Sequence, residues 1–202
     1  LEDSKERLWI GTDGGGLNCF SPDRKSNTIY SSGNSALRND AVWALAEDNK
    51  GNIWIGNYLG GLHVIRSSSG VMEALPLGEG DPFALHNNRV LALLTDDKGF
   101  IWIGTRDGGL VRFDPKTRLF KNYKHITGDT TSITSNTILS LAFDLNKKLL
   151  VGLHEGGLNR FDPVTERFTA YRKNRASGLS DENVWAIHTD KKGRLWLGTQ
   201  GG

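Results

Sequence analysis

Residues 101–110 read IWIGTRDGGL, and variants of that decapeptide recur along the chain. They are LWIGTDGGGL at 8–17, IWIGNYLGGL at 53–62, LLVGLHEGGL at 149–158 and LWLGTQGG at 195–202. The copies start 45 to 48 residues apart. A period of that size marks an array of supersecondary units that bury their apolar faces on one another.

Four anchors fix the frame. An apolar residue opens a first strand at Val42, Val90, Ile138 and Val184. A second anchor is Trp9, Trp54, Trp102, Leu150 and Trp196. A third, after the double glycine, is Phe20, Ile65, Phe113 and Phe161, and a fourth is Tyr30, Leu75, Tyr123 and Tyr171. Successive anchors lie 12, 11 and 10 residues apart in every unit, and only the connection to the next unit varies, at 12, 15, 15 and 13.

Each unit reads as four short strands. NVWAIHT (183–189) is an unbroken run of strand formers, expected to be buried on both faces. Asp190-Lys191-Lys192-Gly193 is a hairpin turn, repeated at Asp48–Gly51 and Asp96–Gly99. In Asp144-Leu145-Asn146-Lys147 the glycine is missing, which puts that hairpin's geometry in question. The second strand carries the Trp, expected to pack between adjacent sheets. Gly104 allows close backbone approach, and Gly108-Gly109 is expected to supply the positive φ of the next turn. The third strand ends in Asp-Pro turns at 114–115 and 162–163, and the fourth alternates polar and aromatic residues like an edge strand.

A four-stranded antiparallel meander repeated at this period is a propeller blade. The fold class expected is all-β, a β-propeller of about four blades' worth over residues 1–202. Its units fall at about 1–40, 41–88, 89–136 and 137–182, with a half-blade at 183–202. The chain starts at Leu1 and begins and ends inside a repeat, so the expectation is a piece of a longer protein. An open arc of blades would expose apolar end faces and self-associate, whereas a closed four-bladed ring would stay monomeric.

Composition narrows the function. Net charge is +2 with both signs spread along the chain, which gives no footprint for nucleic acid. Cys19 is the single cysteine, so a disulfide framework and a zinc site are not expected, and either cytoplasm or periplasm would suit it. Residues His63, His86, His125, His154 and His188 fall at unrelated repeat positions, without metal-ligand spacing. Asp96–Gly99 lacks the alternating acids of a calcium loop, and Gly14-Gly15-Gly16 opens no helix that could cradle phosphate. No cofactor is expected.

Three stretches, 37–62, 85–110 and 179–202, resemble the two-component regulator propeller repeat in the combination N-x-V-x-x-L, D-x-x-G, L-W-I-G-T and G-G-L. The resemblance implies part of the periplasmic sensor region of a hybrid two-component histidine kinase. In such proteins two seven-bladed propellers and a β-sandwich precede a membrane helix and kinase modules. It implies an oligosaccharide or other small ligand derived from glycan breakdown. The implied partners are the remaining blades and downstream domains of the parent chain, with room for a homodimer. The implied location is the periplasm, within an inner-membrane protein.

The variable connections and the x-x-G-G loops should share one face, and loops on a rigid scaffold are where binding concentrates. Candidate ligand-binding residues on that face are Asp13, Tyr58, Arg106, Asp107, His154, Glu155, Asn88 and Asn136. Tyr58 would suit the apolar face of a sugar. Asn39, Asn88, Asn136 and Asn183 equally suit a purely local capping role. No catalytic residue is assigned. The alternatives are a propeller enzyme, lyase or glycan-active, which would need His154, Glu155 and Arg106 to converge, and a protein-interaction scaffold.

Overall fold

A computed structural model describes residues 1–174 and 178–201. Residues 175–177, in the last variable connection, and Gly202, at the end of the expected half-blade, lie outside the described residues. Among the described residues every helix or strand is a strand. No helix among the described residues is long and apolar enough to cross a membrane.

The strands form five sheets. β1 (Leu8–Gly11), β2 (Leu17–Phe20) and β3 (Asn27–Tyr30) make the first. β4 (Val42–Glu47), β5 (Ile53–Asn57), β6 (Gly61–Ile65) and β7 (Met72–Ala74) make the second. β8 (Val90–Thr95), β9 (Ile101–Thr105), β10 (Leu110–Asp114) and β11 (Leu119–Tyr123) make the third. β12 (Ile138–Phe143), β13 (Leu149–Leu153), β14 (Leu158–Asp162) and β15 (Arg167–Tyr171) make the fourth, and β16 (Val184–Thr189) pairs with β17 (Leu195–Thr199). Order within each sheet follows the chain, so every sheet is an antiparallel meander of the propeller-blade kind. The chain divides into two compact units, Leu1–Ile103 with Arg112–Lys121, and Gly104–Val111 with Asn122 onward.

In the first unit the tryptophans fill the space between sheets. Trp9 is buried with Leu17, Cys19, Leu37, Val42, Ile53, Ile55 and Ile65, and stacks on Tyr30 at 6.1 Å. Trp54 is fully buried and meets Phe113 edge-on at 5.6 Å. Truncating such a side chain to Ala costs about 3–5 kcal/mol. In the second unit Leu150 occupies the Trp position and is buried, while Phe161 packs on Phe168 and Tyr123, each at 5.1 Å. A cavity of about 520 Å³ opens beside Leu150, lined also by Leu158, Ala170, Tyr171 and Leu195.

Two sequence expectations need correction. The strand buried on both faces is the second in each of the three four-stranded sheets, β5, β9 and β13, not the first. The first strand alternates, as β4 shows with Val42, Ala44 and Ala46 inside and Trp43 out. A bulge sits at its start: Val42 pairs with Asn57 and Ala44 with Gly56, leaving Trp43 as the extra residue. The same irregularity recurs at Leu139 and Trp185. The second correction concerns the double glycine. Positive φ belongs to Asp107 (66°) and Gly109 (83°), not to Gly108. The first glycine serves packing instead, since a Cβ on Gly60 would meet that of Asn57 at 2.7 Å and one on Gly156 that of Leu153 at 2.7 Å.

The hairpin Asp does more than cap a turn. In all five units its Oδ1 accepts two backbone N–H groups, as Asp48 does from Lys50 (2.9 Å) and Asn52 (3.0 Å). The others are Asp3, Asp96, Asp144 and Asp190. Its Oδ2 accepts the indole N–H six residues on: Trp9 to Asp3 at 2.8 Å, Trp54 to Asp48 at 2.9 Å, Trp102 to Asp96 at 3.0 Å and Trp196 to Asp190 at 3.1 Å. Burial opposes the charge on Asp190, but the bonds from Trp196, Arg194 and Lys192 outweigh it and lower its pKa to about 2. The fourth unit keeps its hairpin without the glycine, because Lys147 takes φ 57° where Gly51, Gly99 and Gly193 stand elsewhere.

Candidate functional site

The loops that carry the candidate residues are tied together by a repeated backbone bond. The N–H of the second glycine donates to the carbonyl two residues before the first anchor: Gly16 to Asp40 at 2.8 Å, Gly61 to Asn88 at 2.9 Å, Gly109 to Asn136 at 2.8 Å and Gly157 to Glu182 at 2.8 Å. Each x-x-G-G loop therefore lies beside a variable connection. Asn88 and Asn136 serve the scaffold through their main chains at this joint. Asn88 also donates its amide to the Leu59 carbonyl at 3.3 Å, and Asn136 accepts the His125 N–H at 2.8 Å.

In the first unit the candidates gather at the start of β4. Asp13 bridges Ala41, and the Tyr58 N–H donates to the Ala41 carbonyl at 3.0 Å. Asn57, fully buried, donates its amide to the carbonyls of Asn39 (2.8 Å) and Ala41 (3.1 Å) and so holds that segment from beneath. The bulge then turns Trp43 outward onto Tyr58. The two rings stack with centroids 4.9 Å apart and planes 17° from parallel. Trp43 stays 48% exposed, and the Arg89 guanidinium lies 5.9 Å from the Tyr58 ring. The result is a two-ring platform with a cation at its side. An exposed aromatic pair held by backbone bonds is rigid before any ligand arrives, which lowers the entropic cost of binding.

In the second unit the candidates gather on Thr137. Asp107 donates its N–H to Thr137 Oγ1 at 3.1 Å and accepts the Thr137 hydroxyl at 2.9 Å, while the His154 N–H donates to the Thr137 carbonyl at 3.0 Å. The Glu155 N–H donates to Asn183 Oδ1 at 2.9 Å. Arg106 and Asp107 are exposed, with closest charged atoms 3.9 Å apart, a separation that contributes little in water. Among the described residues no hydrogen bond joins His154 to Glu155, and no group of three or more His, Cys, Asp or Glu could hold a metal ion.

Trp43 and Arg89 were not among the residues the sequence singled out. Trp43 sits in a strand that read as wholly buried, and a bulge leaves no residue-type signature. The available signal was the repeat itself. The position holds Trp43, Leu91, Leu139 and Trp185, large residues that vary while the position before stays Val or Ile and the position after stays Ala or Ser.

The family model described as two component regulator propeller matches residues 36–58, 84–107 and 178–201. These segments run from the variable connection through the Trp strand, the same elements that build the platform. No curated protein matches the chain. An extracellular domain described as that of a hybrid two component system of B. thetaiotaomicron matches at 27% identity and TM-score 0.81. It takes in 100% of this chain and 26% of its own, so the chain spans about a quarter of that protein's structure. The extracellular domain of a second such system of B. thetaiotaomicron matches at 18% identity and TM-score 0.72, covering 100% of this chain and 32% of the other. Virginiamycin B lyase from Staphylococcus aureus matches at 14% identity and TM-score 0.76, with 100% of this chain and 62% of the lyase covered. The last two likenesses concern the fold alone.

Proposed function

With three two component regulator propeller repeats in the chain, we propose that it is a non-catalytic ligand-sensing module. It would form part of the periplasmic sensor region of a hybrid two-component histidine kinase anchored in the inner membrane. On this reading residues 1–40, 41–88, 89–136 and 137–182 are blades and 183–202 half of a fifth. Their neighbours would be the other blades and domains of the parent chain, and two sensor regions could pair as a homodimer. The likeness to extracellular domains of two component systems supports the context.

The ligand proposed is an oligosaccharide released from a glycan. The observation that carries this is the Trp43–Tyr58 stack with Arg89 beside it. A pyranose offers an apolar ring face to an indole and hydroxyls to the groups around it, here Asp13, Asn88 and Arg89. Arg106, Asp107, His154, Glu155 and Asn136 would form the corresponding surface of the second unit. An enzymatic reading draws no comparable support: among the described residues no hydrogen bond joins His154 to Glu155. Calorimetric titration with a panel of defined oligosaccharides tests the proposal. Saturable heat with the sugar recovered intact is expected. Cleavage of the sugar, or silence across the panel, would overturn it.

A further inference from the structure

The hairpin turns lie at the opposite ends of the strands from the platform, and in the first unit they enclose a cavity of about 450 Å³. Four cationic side chains line it: Lys50 and Lys98 from consecutive Asp-x-Lys-Gly turns, Arg66 from the end of β6, and Lys116 from the Asp-Pro turn. A single carboxylate, that of Asp48, is in the lining. That carboxylate is already committed, accepting from the backbone of Lys50 and Asn52, the Asn52 amide and the Trp54 indole. Arg66 is braced against Glu73 at 2.9 Å. Lys116 is near enough to Asp114 to act on its charge. Among the described residues no carboxylate pairs with the ammonium of Lys50 or Lys98.

We propose that this cavity binds a small, multiply charged oxyanion: the phosphate or sulfate ester group of a soluble ligand. Cations gathered on a concave wall repel one another until an anion enters, and low-dielectric walls focus their field into the space between them. The remaining lining suits the same chemistry, since Asn49 and Ser68 add uncharged donors. Lysine at the third turn position is a habit of the repeat, recurring at Lys5 and Lys192. The enclosure is not part of that habit. It arises where the turn of Asn49 abuts that of Gly99, 3.7 Å from the place a Cβ would take, and the Pro115-Lys116 turn closes the side. A concave site of this size fits a small molecule better than a flat lipid surface. It is independent of the sugar-binding platform.

Titration of inorganic pyrophosphate into the protein at low ionic strength, followed by calorimetry, is the test. Saturable binding that weakens as salt is added is expected. Lys50→Ala and Lys98→Ala should each weaken it about tenfold, the loss of one charge-assisted hydrogen bond. Lys192→Ala, at the same turn position in the second unit, should leave it unchanged. Unaltered circular dichroism shows that each variant folds. No binding at millimolar pyrophosphate overturns the proposal, as does equal weakening by Lys192→Ala, which would mean a general charge effect. A parallel arm uses phosphatidylcholine vesicles containing phosphatidic acid. Sedimentation with vesicles but no heat with pyrophosphate would overturn the assignment to a soluble ligand.

Discussion

Acidifying the protein from pH 7 to pH 4.5 should destabilise it through one residue, His63. The side chain is fully buried in β6. Its Nε2 accepts the backbone N–H of Arg38 at 3.2 Å, so the ring proton belongs on Nδ1, which is buried without a partner. Burial first, and the nearby Arg38 charge second, lower its pKa from 6.5 to about 4. The folded protein therefore holds His63 neutral where the unfolded chain would protonate it. Its contribution to stability is complete above pH 6.5 and is lost as the pH falls toward about 4. At roughly 1.4 kcal/mol per pH unit the whole interval is worth about 3 kcal/mol, a large share of a typical folding free energy.

The role of His63 suggests the control. In the fourth sheet Asn159 stands at the equivalent position and accepts the N–H of Thr134 at 3.1 Å, doing the same work without a titratable ring. His63→Gln keeps an acceptor at about the reach of Nε2. Urea unfolding of both proteins at several pH values between 7 and 4.5 should show the wild type losing about 2–3 kcal/mol. The variant should lose far less over the same range. The carboxylates with lowered pKa, Asp3 and Glu73 among them, withdraw their contributions below 3.8 and 4.5 and hardly enter this window. Parallel pH profiles for the two proteins would refute the reasoning.

Further substitutions test the scaffold. Lys147→Gly relieves a left-handed φ at a position that is glycine in other units, and should raise stability by about 0.5–1 kcal/mol in thermal unfolding. Asp48→Ala strands the Trp54 indole and two backbone donors and should cost about 3 kcal/mol. Asp144→Ala has no indole to strand and should cost about 1 kcal/mol less by the same assay. Gly56→Ala would place a methyl 2.5 Å from Val90 Cγ1 and 3.1 Å from the Ala44 Cβ, and should lower the urea midpoint by the equivalent of about 1–3 kcal/mol.

Much of this was legible in the repeat. Constant spacing between anchors, with length varying only before Val42, Val90, Ile138 and Val184, fixed four-strand units and their connections. The Asp-to-Trp bond was also in plain view, since aspartate stands six residues before Trp9, Trp54, Trp102 and Trp196. Reading the aspartate as a turn former hid its second function. The bulge could not be read, because nothing in Val42-Trp43-Ala44 distinguishes two residues facing one from ordinary alternation. Nor could the division of labour in Gly108-Gly109, because Asp is one of the few residue types besides glycine that adopt positive φ with some frequency. Of the proposed site, Asp13, Tyr58 and Asn88 were candidates because they differ between equivalent loops. Trp43 and Arg89 required the pairing that places their side chains beside Tyr58.

The most direct test of the account is a titration of Trp43→Ala against the oligosaccharide that gives the largest heat with the wild type. Trp43 is half exposed and outside the core, so the variant should unfold within about 1 kcal/mol of the wild type. The account predicts that affinity falls at least tenfold, while Trp185→Ala, which removes an exposed Trp at the equivalent position of another unit, leaves it unchanged. Undiminished binding by Trp43→Ala would show that the Trp43–Tyr58 platform is not where the ligand rests.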